Sequence, residues 1–218
     1  METKLSPLIQ SFILTGVPVE TIILILMLPI IATLIAFLRQ VVGIKAFGIY
    51  TPLIITFAFL ATNGLRYGVA LFLVILFVGM LMRFMLKPFR LLYLPRVAIM
   101  LTVVALFILF FLVLGGTAQR TGLASVSIFP IVIMITLVEK FVSVQIEKGD
   151  KTALVLAFET LIISIAGFYI ASWGFLQSSL LTHPWIILFT IPINIIIGKW
   201  TGLRVSEYIR FRNILKKI

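Results

Sequence analysis

Residues 21–38 read TIILILMLPIIATLIAFL, a run without one charged side chain, and comparable runs recur along the whole chain. Such a segment has few ways to fold. About 20 apolar residues cross the hydrocarbon of a bilayer as a helix, and every backbone N–H and C=O there must be paired within the protein, since no water can take it. Seven stretches fit: Thr21–Leu38, Ala46–Ala61, Tyr67–Leu86, Val97–Leu114, Leu123–Val138, Thr152–Ser172 and Trp185–Ile197. They are continuous rather than alternating, which favours helices over a β-barrel. The expectation is an all-α polytopic membrane protein, one seven-helix domain over residues 1–218. Composition agrees, because only 11% of the residues are charged and a soluble domain carries about a quarter.

The net charge is +11, but the cations lie scattered between apolar runs rather than in a stripe, so the charge argues for loop residues that set orientation and not for nucleic acid. With seven spans, one side collects Arg39, Lys45, Arg83, Lys87, Arg90, Arg96, Lys140, Lys148, Lys151, Lys199, Arg204, Arg210, Arg212, Lys216 and Lys217, while the other holds Lys4, Arg66 and Arg120. The positive-inside rule then puts the C-terminus in the cytoplasm and the N-terminus outside. Trp173 and Trp185 flank the last outer loop and Trp200 ends the last span, where interfacial anchors belong. The tail RVSEYIRFRNILKKI is basic and amphipathic, suited to the anionic lipid of the inner leaflet. The N-terminus, with its short apolar run between acidic residues, does not read as a signal peptide.

Residue inventory argues against catalysis. There is no cysteine, and the one histidine, His183, precedes a proline in the outer loop. No Ser/His pair lies within a span, the one aspartate, Asp150, falls in a loop, and no glycine-rich phosphate loop or metal-ligand cluster is present. The chain is expected to be no enzyme and to need no cofactor.

Some polar residues need a reason. Glu159 is the one acid well inside a span, about 12 Å past Lys151, and an intramembrane carboxylate implies a partner; Arg83 approaches from the same side. In FGIYTPLIITFAFL, Thr51 can cap and Pro52 can begin a helix, which would leave a helix N-terminus inside the membrane facing Lys45. Pro130 takes a similar place in the fifth span, so helices one to three and four to six could form inverted repeats. In LVEKFVSVQIEKGDK the apolar run meets Glu139–Lys140, yet Leu137, Phe141 and Val144 continue one helical face, which predicts a helix that leaves the membrane towards residue 148.

Four stretches together resemble a bacterial family: GIKAFGIYTPLIITFAF (43–59), YLPRVAIMLTVV (93–104), FPIVIMITLVEKFVSVQIEKGDKTAL (129–154) and GKWTGLRVSEYIRFRNIL (198–215). The family is the seven-helix membrane domain usually fused to an inactive transglutaminase-like domain. The resemblance implies an outer N-terminal domain, a bacterial cytoplasmic (inner) membrane location, a cytosolic C-terminus and a neighbourhood with ATP-grasp peptide ligases. Its motif positions fall on Gly43, Lys45, Phe47, Gly48, Pro52, Pro95, Arg96, Phe129, Pro130, Glu139, Lys140, Gly202, Arg204, Glu207, Arg210 and Phe211. Only residues 1–20 precede the first span here, so the expectation is either the membrane domain of a longer chain that carries the transglutaminase-like part or a stand-alone member of the family. Two functions fit. One is a non-enzymatic module that couples an outer domain or signal to a cytosolic peptide ligase through an inner face of Arg96, Glu139, Lys140, Arg204, Glu207 and Arg210. Within that face Glu207 could pair with Arg210, and Glu139 with Arg96 or Arg204. The other is transport of a small anion or peptide through Glu159, Arg83 and the helix break at Pro52.

Overall fold

The computed structural model describes residues 5–62, 64–86, 88–89, 92–117, 128–202, 204–205 and 207–208, and every regular element among them is helical. In chain order these are α1 (Pro7–Leu14), α2 (Val19–Phe37), α3 (Tyr50–Ala61), α4 (Leu65–Leu86), α5 (Tyr93–Thr117), α6 (Ile128–Lys148), α7 (Asp150–Ala171), α8 (Gly174–Thr182) and α9 (Thr190–Gly198). Among the described residues, three helices are long and apolar enough to cross a bilayer: Val19–Val42, Leu65–Leu86 and Asp150–Ala171. The segments Gly174–Thr182 and Pro184–Gly198, bent by 104°, make a fourth if taken as one span. Helices α3 and α5 contribute shorter apolar stretches.

Three local outcomes differ from the sequence expectation. Residues 174–182 form α8 rather than an outer loop, and the last span, expected as Trp185–Ile197, divides into a 3₁₀ turn (Pro184–Phe189) and α9. The cause is His183, held at φ −131°, ψ 73°, because the ring of Pro184 denies the preceding residue a helical conformation. Third, Asp150 lies in a helix and not in a loop. Gly149, at φ 86°, turns the chain within one residue, so α6 gives way directly to α7.

The chain divides into two compact units. The terminal unit joins residues 1–49 to 169–218. Ser6 Oγ accepts from the Ile9 N–H to cap α1, and the Ser6 N–H donates to the Leu181 carbonyl at 3.1 Å. Ile9, Ile22 and Leu181 form a small apolar core there. Pro29 sits inside α2; Thr33 Oγ1 donates to the Pro29 carbonyl and accepts from Asn194 Nδ2 of α9, each at 2.7 Å. After Phe37 the helix widens into one π turn (Leu38–Val42), which Gly43 closes at φ 88°, a conformation that costs glycine little.

The central unit, residues 50–168, packs α3, α4, α5 and α6 around Phe59, Phe72, Ile75, Leu137 and Phe141. Phe59 and Phe72 meet edge to face, with centroids 6.5 Å apart. The α3–α4 contact is close enough that a Cβ at Gly68 would lie 2.5 Å from Phe59 Cδ1.

Candidate functional site

Helices α4, α5, α6 and α7 bring polar residues together at one end of the central unit. Arg83 belongs to the last turn of α4, Arg96 to the first turns of α5, Gln145 to the end of α6, and Asp150 opens α7. These four line a cavity of about 570 Å³, together with the apolar side chains of Phe77, Met80, Leu81, Phe84 and Ile146. Phe77, Leu81 and Phe84 recur at helical spacing along the exposed side of α4.

Arg83 Nη1 lies 2.8 Å from Asp150 Oδ1. The contact is close but poorly directed, since the buried Nη1 makes no well-formed hydrogen bond. Asp150 therefore partners Arg83, where the sequence pointed to Glu159. The carboxylate is 66% exposed and the arginine 27%, so the pair contributes no more than about 1 kcal/mol. As an acid in the first turn, Asp150 also suits the positive end of α7.

Gln145 stands apart chemically. Val138, Phe141 and Val142 bury one face of α6, and Gln145 takes the next position of that stripe, at 1% exposure. Neither its Nε2 nor its Oε1 has a hydrogen-bond partner. An unpaired buried amide costs about 1–3 kcal/mol per group, so an apolar residue would serve packing better here. That conflict between position and residue type is a functional signal. It was available in the sequence as a glutamine seven residues after Val138.

Pro52 takes part in a second polar cluster. Helix α3 starts at Tyr50, so Thr51 is its second residue rather than its cap. The Pro52 carbonyl accepts from Thr56 Oγ1 at 2.8 Å and from Ser164 Oγ at 3.1 Å, while Thr56 Oγ1 also lies 3.3 Å from the Ser164 carbonyl. Ser164 is about 21 Å along α7 from Asp150, so α3 starts beside the second half of α7. Thr51, Thr136 and Lys140 border a small cavity of about 40 Å³ beside it.

Glu139 and Lys140 lie exposed on α6, which runs on to Lys148 as the sequence predicted. Glu139 makes no ion pair among the described residues. Glu159 is half-buried on α7, and Lys45 is exposed in the terminal unit. Glu207 Oε2 accepts from the Arg204 N–H at 3.3 Å and the Glu207 N–H donates to the Arg204 carbonyl at 2.9 Å, a local turn in which Glu207 reaches back to the chain. Arg210, its expected partner, lies outside the described residues, as does Phe211. No group of three or more metal-ligating side chains occurs among the described residues.

A family profile described as seven transmembrane helices usually fused to an inactive transglutaminase matches residues 2–215. The chain belongs to this family. The resemblance read from the four motif stretches is thereby borne out over nearly the whole sequence. No curated protein and no solved structure matches the chain. Membership together with the long apolar helices makes this a multi-pass membrane protein.

Proposed function

We propose that the chain is a non-enzymatic membrane module, a single seven-helix domain of a bacterial inner membrane with its C-terminus in the cytoplasm, which couples an outer transglutaminase-like domain to a cytosolic peptide ligase of the ATP-grasp class. The observation that carries this reading is the two-faced second half of α6. Leu137, Val138, Phe141 and Val142 are buried, while Glu139, Lys140, Glu147 and Lys148 are exposed on the same helix. Ser143 Oγ donates to Glu147 Oε1 at 3.1 Å and joins that polar surface. Mixed charges on an ordered helix suit recognition of a complementary protein surface, where they set partner choice and association rate.

The test is retention of the purified ligase by the membrane protein in mild detergent, wild type beside Glu139→Lys. Binding by the wild type that falls at least about tenfold in the variant, or about 1.4 kcal/mol, supports coupling. Equal binding by both would refute this face as the docking site. A second reading, transport of a small anion, draws on Glu159, a half-buried carboxylate within a helix apolar enough to span. It requires flux in reconstituted vesicles that Glu159→Gln abolishes.

A further inference from the structure

The cavity at the end of the central unit has three properties that together specify a ligand. Two guanidinium groups, Arg83 and Arg96, stand in its wall with one carboxylate, Asp150, and Arg83 Nη1 is buried there without a well-formed hydrogen bond. The Gln145 side chain, 1% exposed, presents an unmet amide N–H and an unmet carbonyl oxygen. Beside them Phe77 and Phe84 are exposed on α4, a helix long and apolar enough to cross a bilayer. Phosphate oxygens suit guanidinium donors. An occupant with both acceptor oxygens and a hydroxyl satisfies the amide, and an attached hydrocarbon chain covers the phenylalanine rings.

We propose that this cavity binds an anionic phospholipid with a hydroxylated headgroup, phosphatidylglycerol in chemical class. The phosphodiester oxygens accept from Arg83, Arg96 and Gln145 Nε2, a headgroup hydroxyl donates to Gln145 Oε1, and an acyl chain runs along Phe77 and Phe84. Charged hydrogen bonds to phosphate are the strong kind, and buried partners left unpaired without the ligand sharpen discrimination against a headgroup that lacks them. A zwitterionic choline headgroup offers no hydroxyl to Gln145 and brings a cation towards two arginines. Asp150 limits the affinity, because its carboxylate competes for Arg83.

The proposal is tested on the 218-residue chain in nanodiscs of mixed phosphatidylcholine and phosphatidylglycerol, with native mass spectrometry counting the lipids that remain bound. Phosphatidylglycerol is expected to be retained in preference, and excess inorganic phosphate is expected not to displace it. Gln145→Leu, which keeps the side-chain volume, should weaken retention about tenfold. Asp150→Asn should tighten it about threefold, a gain that misfolding cannot produce. Equal retention of the two lipids, or unchanged binding in both variants, overturns the site. Displacement by inorganic phosphate overturns the lipid assignment in favour of a free phosphate.

Discussion

Replacing Gly68 by alanine tests the packing of the central unit in a way that separates crowding from helix propensity. The new Cβ would lie 2.5 Å from Phe59 Cδ1 and 2.9 Å from Thr62 Oγ1. Ordinary carbon contact begins near about 3.5 Å, so the ring must withdraw by about 1 Å. Phe59 is wholly buried and rests edge to face on Phe72, also wholly buried, so both rings must move. Overpacking of this kind costs about 1–3 kcal/mol, and alanine returns up to about 1 kcal/mol of helix propensity. At the upper end the net loss is about 2 kcal/mol, or roughly 30-fold in the folded-to-unfolded ratio. Unfolding in mixed detergent micelles measures it, with Gly174→Ala as the reference, where a Cβ meets nothing within 4 Å. Shortening the ring in the double variant Gly68→Ala, Phe59→Leu should remove the crowding, and a coupling energy above about 0.5 kcal/mol would locate the conflict at that pair. A Gly68→Ala protein as stable as Gly174→Ala would refute the close approach of α3 and α4.

Three further outcomes follow from hydrogen bonds and charge. Ser164→Ala removes a donor to the Pro52 carbonyl, and thermal unfolding in detergent should show a loss of about 0.6–1.7 kcal/mol; Thr56→Val should cost a similar amount but less than additively with it, since both reach one oxygen. Asn194→Ala should destabilise the terminal unit by about 1 kcal/mol, read as earlier proteolysis near the C-terminus, because α9 loses its polar link to Thr33. Asp150→Asn should change overall stability by less than about 1 kcal/mol, as fits a largely exposed ion pair, so tighter lipid retention in that variant cannot be ascribed to a firmer fold.

Much of the helical architecture could be read directly, since runs such as Thr21–Leu38 have no alternative in hydrocarbon. The continuation of α6 past Glu139–Lys140 was also visible, because Leu137 and Phe141 keep the helical period through the charges. The site was harder. EKGDK reads as a charged loop, and only the left-handed Gly149 turns Asp150 into the first residue of a helix and a partner for Arg83. Arg83 and Arg96 were singled out separately, but the cavity requires α4, α5 and α6 to meet, and that is a fact of packing rather than of spacing. Gln145 does not stand out in the sequence, because one polar residue in a half-polar helix end looks ordinary until its burial is known.

The terminal unit imposes an order of events on biosynthesis. It unites residues 1–49 with 169–218, while the central unit is continuous in sequence. At about 5–20 residues per second a ribosome needs roughly 6–24 s to travel from residue 49 to residue 169. Throughout that interval Ser6 waits for the Leu181 carbonyl and Thr33 for Asn194. Helix α2 is therefore made with its apolar flanks open to lipid or to whatever insertion factor shields them, and the central unit is fully synthesised before the terminal unit is complete. The last helices to leave the ribosome complete the part of the protein that was begun earliest.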